Sequence, residues 1–151
     1  HLIKSSSHVS GYPRVIDSGE KGYYYETVHF DDGLDTSANL ILSMRTNISS
    51  ADHAAIRLQT SDVEIYTKPY WIPPCAKGWV ENTTDTTQTW TRIAVIYYDR
   101  SGIPVGIATA SILEDLAPGQ RVGFDAGGDI MPDNMGVSDI ASFYVYAYPF
   151  Y

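Results

Sequence analysis

Cysteine is almost missing from this sequence: Cys75 stands alone. No internal disulfide can staple the chain, so a packed core must hold it instead. Within Trp71-Ile72-Pro73-Pro74-Cys75-Ala76 the thiol reads as a small buried hydrophobe, with an intermolecular bridge or a reactive thiol as the other readings. Charge is scarce too, at 19% of residues, and positive charge scarcest, with 10 Lys and Arg against 18 Asp and Glu. The net charge of −8 excludes nucleic acid as a partner, because phosphates require clustered Lys and Arg. No apolar run approaches the ~18 residues of a membrane-spanning helix. The histidines, His1, His8, His29 and His53, lack zinc-ligand spacing. Nothing resembles a nucleophile elbow, and Glu114-Asp115 are neighbours in a turn rather than opposed carboxylates. An enzyme is not expected. Helical periodicity is lacking as well, beyond one turn over residues 112–116.

What is present is β-structure. Leu40, Leu42 and Met44 alternate with Ile41, Ser43 and Arg45, and Ala54, Ile56 and Leu58 with Ala55, Arg57 and Gln59. Val63 and Ile65 face inward on a further short strand. Residues 69–74 form a proline-bearing crossover, since Pro73 and Pro74 cannot donate within a central strand. Residues 90–98 are β-branched and aromatic. Asp99-Arg100-Ser101-Gly102 turns the chain into a return strand over 105–112. Leu116-Ala117-Pro118-Gly119 makes a type II turn before the alternating strand 120–126. Residues 127–138 read as a glycine-rich acidic loop. Phe143, Val145 and Ala147 then oppose Tyr144, Tyr146 and Tyr148 in the last strand. Eight or nine short strands with regular turns predict an all-β chain, an antiparallel β-sandwich, and 151 residues suffice for its core. One strand breaks the rule of a single apolar face. Ile93, Val95 and Tyr97 lie on one side and Ala94, Ile96 and Tyr98 on the other, so something must cover the second face. The first sixty residues or another subunit could do so.

Three stretches carry a resemblance. Val95-Ile96-Tyr97-Tyr98-Asp99 keeps a Tyr-Asp pair, Gly78-Trp79-Val80-Glu81-Asn82 reads as an opening strand, and Leu116-Ala117-Pro118-Gly119 is followed by Phe124. Over residues 62–151 this order resembles the FxLYD domain family of bacterial and archaeal surface proteins, with Val and Tyr where that family carries Phe and Leu. The resemblance implies an immunoglobulin-like sandwich at the cell surface and brings no catalytic residues with it. Residues 17–151 would form the sandwich and residues 1–16 an N-terminal β extension. The chain opens at His1 with neither an initiator Met nor a signal peptide, which leaves a removed leader and a trimmed start both open.

The Ser-rich opening residues would fray unless tied down on their own domain or on a neighbouring copy. One expectation is strand donation: residues 1–16 pair with another copy of the protein, anchored by Leu2, Val9, Val15 and Ile16. The tyrosine stripe Tyr144, Tyr146 and Tyr148 would then be a further subunit contact. This makes the protein a non-catalytic extracellular structural or adhesive subunit, pilus-like, whose partners are copies of itself. The alternative is a monomeric module that binds cell-surface glycans or proteins through exposed tyrosines and Trp71 or Trp90. Asn47-Ile48-Ser49 and Asn82-Thr83-Thr84 are N-glycosylation sequons, predicting glycans on Asn47 and Asn82. The only cofactor considered is calcium, with Asp125, Asp129 and Asp133 as candidate ligands in a spacing unlike an EF-hand, against a plain solvated loop.

Overall fold

The computed structural model describes residues 10–25, 54–69, 73–132 and 135–150. In chain order it contains β1 (Ser10–Tyr12), β2 (Tyr23–Tyr25), β3 (Gln59–Tyr66), β4 (Cys75–Glu81), β5 (Thr91–Tyr98), β6 (Pro104–Ile112), β7 (Arg121–Ile130) and β8 (Ser142–Pro149). Among the described residues the only helical piece is a 3-10 turn, Val137–Asp139. The expectation of an all-β antiparallel chain holds. The predicted helical turn over 112–116 does not form; Ile112 ends β6, and Leu116 bridges to Gln88 instead.

Six strands hydrogen-bond in the order β3-β4-β7-β6-β5-β8, every pairing antiparallel. They form one sheet that curls until its ends nearly meet. Just ahead of β3, the Leu58 N–H donates to the Ala147 carbonyl of β8 at 2.8 Å. β7 makes the curl possible. Its first part, from Arg121 to Ala126, pairs with β4, and its second part, from Gly127, pairs with β6. The corner lies at Gly127-Gly128, where a Cβ on Gly128 would stand 2.3 Å from the Pro74 carbonyl oxygen and 2.6 Å from Pro73 Cβ. Only glycine lets the strand pass the Pro73-Pro74 crossover. The acidic loop expected from residue 127 therefore starts later, after Ile130.

The inside of the curl is the core. Ala76, Val80, Phe124 and Ala126 from one half meet Ile93, Val95, Tyr97, Ala108, Ile112 and Ala147 from the other. The predicted alternation in β5, β7 and β8 sorts inward from outward residues as expected. Its turns also hold: Gly102 and Gly119 take φ of +74° and +75°, and the Gln120 N–H closes the Pro118-Gly119 turn on the Ala117 carbonyl at 2.9 Å. The strand expected at 54–59 is displaced. Residues 54–58 carry no strand, and β3 begins at Gln59, with a register shift between Ser61 and Glu64 around Asp62 at φ +52°. The strand expected over 40–46 lies outside the described residues.

The second face of β5 is covered by its own chain. β1 and β2 pair as a small two-stranded sheet, Tyr12 opposite Tyr23. Tyr12 and Tyr23 pack on a second buried cluster, Ala94, Ile96, Ile107, Tyr146 and Tyr148, on the outside of the curl. A partly buried arginine fork fastens this hairpin. Arg57 Nε donates to Glu20 Oε1 at 2.9 Å and Nη2 to Glu20 Oε2 at 2.5 Å, while Nη2 also reaches the Val15 carbonyl at 2.6 Å. Such a bidentate charged pair fixes orientation as well as contributing energy.

Candidate functional site

The hairpin covers the middle of the outer face and leaves a cleft beside it. The cleft, of about 540 Å³, is lined by Tyr23, Tyr98, Phe143, Tyr144 and Tyr146, with Glu20, Lys21, Gly102 and Ser142 at its rim. Its position follows from strand register. Ile96 sits opposite Tyr144, and Tyr98 opposite Ser142, so alternate residues of β5 and β8 project to the same outer side. Tyr23 arrives from β2, above them.

The rings build a floor and leave two of their number open. Tyr23 meets Tyr98 edge-on at 6.2 Å between centroids, and Tyr146 at 5.9 Å. Tyr144 leans on Tyr146 at 4.6 Å. Tyr146 is 4% exposed, whereas Tyr144 is 53% and Phe143 39% exposed. The floor's polar tips are fixed. The Tyr23 and Tyr98 hydroxyls hydrogen-bond to each other, and the Tyr146 hydroxyl donates to the Lys21 carbonyl at 3.0 Å. Burial, together with neighbouring tyrosines, pushes the Tyr98 and Tyr146 hydroxyls well above the ordinary phenol value, so both stay protonated donors. At the rim, the Arg57 guanidinium holds the Glu20 carboxyl below its ordinary value and keeps it charged. The arrangement can stack a ring on Tyr144 and satisfy hydroxyls at its edge.

The residues singled out in the sequence fall as follows. Tyr144 is at the open end of the cleft, but Tyr146 and Tyr148 are not the exposed stripe expected of them; the hairpin, Tyr23 and Arg57 bury them. Val15 lends its carbonyl to Arg57 within the same chain, and Ile16 is 38% exposed. Leu2, Val9, Asn47 and Asp133 lie outside the described residues, as does the side chain of Asp129. Asp125 accepts a hydrogen bond from the Tyr66 hydroxyl at 2.6 Å and pairs with Lys68 at 2.9 Å; the two hold its carboxyl below the ordinary value. Among the described residues no three His, Cys, Asp or Glu side chains come together as metal ligands.

Asn82 requires a correction. It is fully buried, and its Nδ2 donates to the Thr86 and Leu116 carbonyls at 2.8 and 2.7 Å. Its Oδ1 accepts from the Thr84 N–H and hydroxyl. The nitrogen that a glycan would modify is thus inside the protein and doubly committed. The sequon's own Thr84 serves the fold. Tyr23, Tyr98 and Arg57 were the site residues that sequence reading passed over, and the one available signal was the doubly apolar β5, which demanded a cover.

No family model, curated protein or solved structure matches the chain.

Proposed function

We propose that the protein is a non-catalytic extracellular binding module that takes a carbohydrate in the tyrosine-lined cleft. One observation carries the reading: a concave floor of fixed aromatic rings with Tyr144 and Phe143 left open at its side. Sugars present apolar C–H faces and hydroxyl edges, and tyrosines offer an apolar body with a polar tip. Rings already packed and hydrogen-bonded lose little freedom on binding, which favours affinity. The finer architecture proposed is the immunoglobulin-like sandwich of the FxLYD resemblance, with the two halves of the curled sheet as its layers.

Strand donation between copies is the weaker reading. One of its motives was an uncovered second face on β5, and the chain's own hairpin supplies that cover. The two readings separate in one set of measurements. Screening the protein against an array of oligosaccharides should identify a binder, and Tyr144→Ala should weaken it at least tenfold without changing the thermal midpoint by more than a few degrees. No binder, together with polymers in sedimentation that vanish on deletion of residues 1–9, which leaves β1 in place, would replace this reading with the filament one.

A further inference from the structure

At the other end of β5 the same outer face carries a second recess. From Arg92 to Tyr98 is six residues along the strand, roughly 20 Å at ~3.3 Å per residue, so the recess is separate from the tyrosine cleft. It is lined by Trp90, Arg92, Ser111, Leu113 and Phe150 and measures about 130 Å³. An end group fits there, not a length of chain.

Three independent features meet in it. First, Trp90 sits at φ +46°, a conformation that glycine adopts freely and a bulky residue adopts only under constraint. Its carbonyl is held by the Phe150 N–H at 2.8 Å, and its indole is displayed at 57% exposure. Second, the walls are apolar and open: Leu113 is 69% exposed, and Phe150 lies 6.4 Å from the indole with its plane tilted by 32°. Third, positive charge gathers here on an acidic chain. Arg92 stacks on the Phe150 ring at 5.2 Å and Arg14, from the hairpin, at 4.7 Å. Among the described residues Arg92 forms no ion pair, and no carboxylate lines the recess. Ser111, directly across the β5–β6 ladder from Arg92, adds a hydroxyl.

We propose that this recess binds a single ring bearing a carboxylate, as the end group of a ligand. The ring lies against Trp90 and Leu113, the carboxylate takes the Arg92 guanidinium in the geometry that suits it best, and the Ser111 hydroxyl donates to the remaining oxygen. An acidic sugar and an aromatic acid share this chemistry. Neutral rings do not.

The test follows the indole N–H signal of Trp90 by NMR in the full chain, assigned with Trp90→Phe, during titration with sodium glucuronate, sodium benzoate and glucose. A saturable shift is expected with a carboxylate and none with glucose; response to glucuronate alone identifies the saccharide source, and to benzoate alone the aromatic one. Arg92→Gln should weaken binding at least tenfold, with Arg92→Lys retaining part of it. Trp90→Gly should raise the thermal midpoint, because glycine relieves the strained φ, and yet abolish the shift of the neighbouring Arg92 and Ser111 amides. The proposal is overturned if neither acid shifts Trp90, if glucose acts as well as the acids, or if Arg92→Gln or Trp90→Gly binds unchanged. Its failure would leave the tyrosine cleft untouched, since Tyr144→Ala reports on that site alone.

Discussion

At the scale of single residues, Asn82 shows how a side chain can stand in for secondary structure. Its amide uses both donors and its carbonyl oxygen accepts twice, while its backbone N–H reaches the Gln120 carbonyl at 3.0 Å and its carbonyl accepts from Gly119 at 2.8 Å. One residue therefore ties the 82–88 loop to the Pro118-Gly119 turn. Asn82→Ala should cost about 2–3 kcal/mol, because it removes four side-chain hydrogen bonds from a fully buried position at once. Urea unfolding would measure it. A loss below about 1 kcal/mol would mean that the loop re-pairs without its anchor. Thr84→Ala, which removes one hydroxyl on the same oxygen, should cost less.

Among the elements, β7 decides the architecture. Its two parts serve different neighbours, and Gly128 is the residue that lets it do so. Gly128→Ala would force Cβ into the backbone of Pro73 and Pro74, which cannot swing aside as a flexible side chain could. A loss of roughly 2–4 kcal/mol is expected, in the range of overpacked cores and above, and calorimetry should register it as a midpoint lowered by several degrees. Gly127→Ala meets nothing within 4 Å and serves as the control. This is also where sequence reading reached its limit. Alternation in β5, β7 and β8 was legible because a half-buried strand must place apolar side chains with period two. The turns were legible because Gly102 and Gly119 have few conformational substitutes. The corner was not, since paired glycines beside aspartates read equally as a loop; what makes them strand is pairing with β6, which only a residue without Cβ can reach past prolines some fifty residues away. The tyrosine cleft was legible only in outline. β5 announced that it needed a cover, but its pattern could not say that Tyr12 and Tyr23 provide it, or that Tyr146 and Tyr148 would be buried beneath them.

For the molecule as a whole, the Glu20–Arg57 fork is the ion pair that, among the described residues, joins the hairpin to the chain leading into the curled sheet. Glu20 has its folded-state pKa below the ordinary value of 4.5. The stabilisation it provides is thus complete above about pH 4.5, and it is lost as pH falls through the lowered value. Acid should loosen the hairpin before it unfolds the sheet. The protection of the β1 and β2 amides, taken relative to the intrinsic exchange rate at each pH, should fall at least tenfold below pH 3.5 compared with pH 7, with the core strands still protected. Glu20→Gln should show the reduced protection already at pH 7 and lose its pH dependence; equal protection at both pH values in the unsubstituted protein would remove the fork from this role. The loosened state would have a particular way of going wrong. Because the hairpin is its own two-stranded sheet, packed on side chains and not paired to an edge of the six-stranded one, a strayed hairpin bares tyrosine rings and isoleucines rather than a row of unpaired backbone groups. Molecules would then stick by their faces, giving amorphous and reversible precipitate, and not the ordered fibrils that grow when one chain's backbone templates the next.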